Sequence, residues 1–142
     1  MTRYLLDTNI ISNATKPLPS QPLTEWMAKQ VDDDLFICSL SLAEIYRGIL
    51  EKPSRKKRRE LEEWFKGPEG PQALFRGRVL AFDEEAALIW ARLMSQATHA
   101  GRPRSALDMV VAAIGDANNC VVVTDNEKHF PGVTLLNPLR SA

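Results

Sequence analysis

Short apolar runs separated by longer amphipathic stretches set the rhythm of this chain. The runs are Tyr4–Leu6, Leu35–Cys38, Val79–Phe82, Cys120–Val123 and Thr134–Leu136, and each is a strand candidate. Cys120-Val121-Val122-Val123 has no polar alternation, the pattern of a strand covered on both faces, as strands of parallel sheets are. Between the runs, apolar spacing predicts helices over Pro22–Gln30, Ser41–Leu50, Arg55–Phe65, Glu84–Ala100 and Ser105–Ala117, most of them opened by a capping residue or a proline. In the longest, Ala87, Leu88, Ala91 and Met94, with Trp90 alongside, form the stripe expected to pack on the sheet. Strands alternating with helices imply βαβ units and an α/β class. Gly67–Pro71 and Gly101–Arg104 read as loops rather than domain boundaries, and no repeat or low-complexity tract interrupts the pattern. Residues 1–142 are therefore expected to form one domain.

Composition narrows the function classes. A chain of 142 residues can bury a hydrophobic core without staples, and 44% hydrophobic with 25% charged residues is a globular balance. Eighteen basic and eighteen acidic residues cancel, so any nucleic-acid binding must be local rather than driven by net charge. The strongest cationic run, Ser54–Arg59, opens a predicted helix and reads as a solvated face with phosphate contact as the second reading. Cys38 and Cys120 lie inside apolar runs without CxxC spacing, which suits reduced core residues rather than zinc ligands or a disulfide. Asp7 ends the first apolar run too early for a signal peptide, and no run is long enough to span a bilayer. The expected location is the cytoplasm, with no membrane partner.

Four places put an acid, or an acid beside an amide, at a strand end or a helix start: Asp7, Glu44, Asp108 and Asp125-Asn126. Each has a purely structural reading. Asp7-Thr8-Asn9 and Asp125-Asn126 suit Asx-type turns, while Ser41 with Glu44 and Ser105 with Asp108 match capping boxes. Together they say more, because a parallel sheet gathers the carboxyl ends of its strands, and the starts of the helices that follow, along one edge where ligands bind. Carboxylates crowded there repel one another unless a cation offsets them, and the hard oxygen donors suit Mg²⁺, which takes one or two carboxylates with water and substrate phosphate. That is the donor set of phosphodiester chemistry.

The segment Leu5–Ser12 resembles the opening of PIN-domain nucleases, and Leu42–Ile49 is similar to their second acidic motif. Asp108–Ile114 resembles the third motif, and Val123-Thr124-Asp125-Asn126 with Phe130, Leu136 and Asn137-Pro138 resembles the close. Order and spacing agree over nearly the whole chain, most closely with VapC-type toxins of bacterial toxin–antitoxin systems, including their FitB-like branch. The resemblance implies a PIN-like fold with a five-stranded parallel sheet and helices on both faces, a homodimer, an antitoxin partner and an Mg²⁺-dependent ribonuclease, with Mn²⁺ as a substitute ion. It puts Asp7, Glu44 and Asp108 in the acidic positions. In the fourth position Asn126 stands where the family has Asp or Asn, with Asp125 beside it, and the choice between them stays open.

On that reading Asp7 and Asp108 bind the metal most directly, with Glu44 binding it through water or acting on the attacking water, and no catalytic histidine is required. His99 and His129 have no obvious partners and read as surface or structural residues. Asn9 and Thr124 are expected to hold the carboxylates in place, and Arg47, one turn beyond Glu44, is expected to reach an RNA phosphate or an antitoxin carboxylate. The alternatives are a metal-dependent DNase or phosphatase on the same edge, and a non-catalytic binding module in which the acids are structural.

Overall fold

The computed structural model describes residues 2–15, 18–130 and 133–139. Five strands, β1 (Arg3–Leu6), β2 (Leu35–Cys38), β3 (Val79–Leu80), β4 (Cys120–Val123) and β5 (Leu135–Leu136), form one sheet in the order β3-β2-β1-β4-β5. Every neighbouring pair is parallel. In register, Leu5 of the central strand lies between Phe36 and Val122.

Alternation along the strands feeds two cores. Leu5, Phe36, Cys38 and Val122 point to one face, where they meet Met109, Ala112, Ala113 and Ile114 of helix α7 (Ala106–Ala117) and Ala86 and Ile89 of helix α6 (Glu84–His99). Leu6, Leu35, Ile37 and Val123 point to the other, against Ile10 and Ile11 of α1 (Thr8–Thr15) and Leu23 of α2 (Gln21–Ala28). The remaining helices are α3 (Ser39–Leu50), α4 (Arg55–Lys66) and α5 (Pro71–Leu74). With both faces covered, each buried Leu, Ile or Val contributes about 1.5–3 kcal/mol, which is why these strands are apolar beyond Arg3 at the start of β1. Gly115 lets α7 approach closely: a Cβ there would lie 3.0 Å from Val122 Cγ2 and 3.6 Å from Leu5 Cδ2.

Several expectations change. Helix α1 follows β1 at once, where an Asx-type turn was expected, because the Asp7 carboxylate takes the Thr8 N–H and its carbonyl takes those of Ile10 and Ile11. The β3 strand stops at Leu80, leaving Phe82 exposed. Helix α6 buries Ala86, Ile89 and Ala97, with Trp90, Leu93 and Met94 packed against the core, so Trp90 and Met94 of the expected stripe face inward whereas Leu88 and Ala91 face solvent. That helix carries two apolar stripes, and the one with Ile89, Trp90 and Leu93 has more surface to remove from water. Among the described residues no helix is long and apolar enough to cross a membrane.

Candidate active site

The strand order reverses between β1 and β4, the neighbours at the centre of the sheet. Asp7 leaves β1 and Thr124 leaves β4, so both stand at the crevice where open α/β sheets bind ligands. A cleft of about 520 Å³ opens there, and its walls include Asp7, Asn9, Glu44, Asp108 and Asn126. The dispersed acids of the sequence thus meet in one place.

Asp7 is the best-secured of them. It is 6% exposed. Its Oδ1 accepts from Thr8 N at 2.8 Å and its Oδ2 from Thr124 Oγ1 at 3.0 Å, a bond that ties β1 to β4 across the switch point. Thr124 is itself fully buried and takes the Asn126 N–H at 3.0 Å, so one hydroxyl organises both segments. Asn9 Nδ2 approaches Asp7 Oδ2 at 3.4 Å, while Asn9 Oδ1 is buried without a hydrogen-bond partner and needs a donor from solvent or ligand. Asn9 and Thr124 thus both donate to the same Asp7 oxygen, Oδ2.

The other acids arrive by different routes. Helix α3 grows directly out of β2 with Cys38 at its N-cap, so Glu44 lies in its second turn and the expected Ser41 and Glu44 capping box does not exist. Ser41 is instead buried, with its hydroxyl 3.0 Å from Thr8 Oγ1, and Thr8 donates to Glu44 Oε1 at 2.7 Å. The Ser105 hydroxyl does cap α7 by taking the Asp108 N–H, but the Asp108 carboxylate is engaged elsewhere, with Oδ2 3.1 Å from His129 Nδ1. His129 thus has a partner that its remoteness in sequence concealed. Asn126, and not Asp125, lines the cleft. Arg47 does not line it; its guanidinium pairs with Glu51 at 3.3 Å on the exposed side of α3. Thr8, Ser41 and His129 carry no pattern by which local sequence would single them out, because their partners lie on other elements.

Burial pushes the Asp7 carboxyl above its usual pKa, and the charges of Asp108 and Glu44 add to that; the Thr8 N–H and Thr124 hydroxyl oppose it without prevailing. A carboxyl that binds its proton more tightly when folded favours the folded state at low pH. As pH rises from the ordinary value of 3.8 through the raised one, the ionised group costs increasing stability, and above that range the full cost remains. Asp7→Asn is therefore expected to raise the melting temperature in EDTA at neutral pH. The gain should fade as the buffer is taken down towards pH 4, a trend that thermal unfolding across a pH series checks.

Among the described residues no three Asp, Glu, His or Cys side chains converge tightly enough to enclose an ion by themselves. A dication that relies on one or two carboxylates, completed by water and phosphate, fits this open arrangement, whereas zinc in a closed protein cage does not. The buried Asp7 charge, the neighbouring acids and the unpartnered Asn9 oxygen all suit such a hard, hydrated cation.

The PIN-domain model matches residues 4–134. The chain is 32% identical over 136 residues to Toxin FitB of Neisseria gonorrhoeae, covering 94% of this chain and 96% of that protein. It is 31% identical over 140 residues to VapC ribonuclease Y4jK of Sinorhizobium fredii, covering 97% and 99%. The crystal structure of FitAcB from N. gonorrhoeae superposes with a TM-score of 0.87 at 31% identity, over 95% of this chain and 97% of that one. FitAB bound to an IR36 DNA fragment superposes at 0.88 with 30% identity, over 98% and 97%.

Proposed function

This chain belongs to the PIN-domain family, and from that membership we propose that it is the ribonuclease toxin of a toxin–antitoxin pair, cleaving RNA phosphodiester bonds with Mg²⁺ or Mn²⁺. The observation that carries the proposal is the buried Asp7, fixed at the sheet's switch point and facing Glu44 and Asp108 across one cleft. The likeness to a toxin and to a VapC ribonuclease supports the choice of RNA over other phosphodiesters, and the FitAB likeness supports an antitoxin as partner.

Asp7 and Asp108 would hold the ion, with Asn126 on the cleft wall as an uncharged polar neighbour. Bound there, the ion lowers the pKa of water and offsets charge developing on the phosphoryl oxygens. Glu44, oriented by the Thr8 hydroxyl, accepts the proton of the attacking water. Asp7 keeps its geometry through Thr8 N and Thr124, and the Asn9 oxygen takes a hydrogen bond from whatever fills the cleft.

The direct test compares RNA, DNA and a small phosphate ester, with Mn²⁺ and with EDTA. Metal-dependent cleavage of RNA is expected, and cleavage that ignores EDTA would remove the proposal. Binding should also appear without turnover: a ligand at about 100 times its Kd stabilises the folded state by about 2.7 kcal/mol. The Mn²⁺-induced rise in melting temperature is expected to vanish in Asp108→Asn.

His129 is a positioning residue on this reading, since it touches Asp108 rather than the reacting atoms. His129→Ala is expected to lower kcat about 10- to 100-fold, the usual cost of losing a group that orients a metal ligand. His129→Asn, whose amide can donate to Asp108, should recover part of that loss, an outcome that a purely packing role would not produce.

A further inference from the structure

An acidic cleft repels the polyanion it is meant to cut, and this chain has no net charge with which to compensate. Affinity for RNA must then come from cations within about a Debye length of the carboxylates, roughly 8–10 Å at ordinary ionic strength. The cationic run on α4 does not meet this need directly. The hollow that Arg55, Arg58 and Arg59 line shares no wall residue with the cleft.

A second hollow does. About 360 Å³ in volume, it is lined by Arg102, Arg104, Lys128 and His129, and it shares Asp108 with the acidic cleft. Its single acid is already paired with His129, so the charge presented to a ligand is that of Arg102 and Lys128. Arg102 and Lys128 are exposed, and among the described residues neither is neutralised by an acidic side chain.

The backbone holds these cations in place. Helix α6 ends in a paired turn, with Gly101 N bonded to Thr98 O and Arg102 N to Ala97 O, around Gly101 at a φ of +67°. This is the Schellman geometry that glycine adopts without steric cost, and it fixes the residue after it, Arg102. Lys128 rides on the short 3-10 turn Glu127–His129, which the buried Phe130 anchors.

We propose that Arg102 and Lys128 form a phosphate subsite for RNA, binding a backbone phosphate adjacent to the one cleaved at Asp7 and Asp108. The inference rests on the ribonuclease reading above. Phosphate is favoured over an acidic peptide because the hollow shares a wall with the cleft where a phosphodiester must lie, so a strand leaving the cleft past Asp108 brings its next phosphate to the hollow.

The test measures binding of bulk tRNA and of a mixed-sequence single-stranded RNA oligonucleotide, in Mn²⁺, on an Asp7→Asn background so that the probe survives. Adding Arg102→Gln and Lys128→Gln should weaken binding about ten-fold, the scale of losing charge-assisted hydrogen bonds. The slope of log K against log salt should become shallower by about 0.7 for the single strand, the value for one phosphate no longer neutralised. In the otherwise wild-type protein the same pair should raise KM and leave kcat unchanged. An Arg55→Gln and Arg59→Gln pair, with the same change of charge, should do neither. An intact Mn²⁺ shift in melting temperature, read with Asp7 in place, confirms that the cleft survives, and Lys128→Glu alone gives the same reading should the double variant fail to fold. Unchanged binding and salt slope in an enzyme that still cleaves RNA overturn the subsite and leave the ribonuclease standing. Loss of antitoxin binding with RNA binding intact overturns it too, in favour of an acidic peptide. A wild type that neither binds nor cleaves RNA removes the function first, and the subsite with it.

Discussion

Asp7→Asn is expected to reduce metal-dependent RNA cleavage by at least about 10²- to 10³-fold, the scale at which removing one electrostatic stabiliser of a transition state is felt. Asparagine preserves the shape of the site. Its carbonyl can still take the Thr8 N–H, and its amide can face the Thr124 hydroxyl. What disappears is the negative charge and one of two carboxylate oxygens, so the loss isolates the chemistry from the scaffold. The same substitution relieves a buried charge that repels Asp108 and Glu44, so the inactive protein should melt at a higher temperature in EDTA. Opposite movements of activity and stability are the signature to look for in steady-state cleavage and thermal unfolding of one preparation. A variant that loses both together would mean that Asp7 is structural.

Phe130→Ala is expected to cost about 3–5 kcal/mol, the usual range for truncating a buried aromatic side chain. Phe130 is fully buried among the residues packed between the sheet and α6 and α7. Its backbone also closes the turn after β4, with its N–H on Glu127 O and its carbonyl taking the Val133 N–H. Against a typical total stability of about 5–15 kcal/mol this is a large fraction. In a chain of this size the melting temperature should fall by roughly 10–15 °C. Function should suffer below the melting point as well, because the turn that Phe130 anchors carries His129 to Asp108. Phe130→Leu, which leaves less cavity, should lie between wild type and alanine in both measurements, read by calorimetry and by kcat at a temperature where all three are folded.

The two effects separate the layers of the molecule. Phe130 belongs to the core that exists whether or not the site works, while Asp7 belongs to a site that the core holds against its own electrostatic preference. An acid cluster of this kind persists because hydrogen bonds from Thr8 and Thr124 and the packing of β1 over-determine the position of Asp7. Stability and activity are therefore expected to trade against each other at the cleft and to fall together in the core.

Whatever a local period or a local motif carries was legible in the amino acids alone. Apolar runs marked β1, β2 and β4 as strands, the unalternating Cys120–Val123 run marked β4 as covered on both faces, and Ser105 marked the start of α7. The order of the acidic motifs placed Asp7, Glu44 and Asp108 on one edge. Tertiary structure decided what depends on where distant segments cross. It chose which of two apolar stripes α6 buries, turned Ser41 from a helix cap into a buried hydroxyl beside Thr8, put Asn126 rather than Asp125 on the cleft wall, took Arg47 away to Glu51, and joined His129 to Asp108. The physical reason is one of range. Propensity and periodicity act within a few residues and leave their trace in the letters, whereas a hydrogen bond such as that from Thr124 to Asp7, 117 positions apart, exists only once sheet register has fixed both ends.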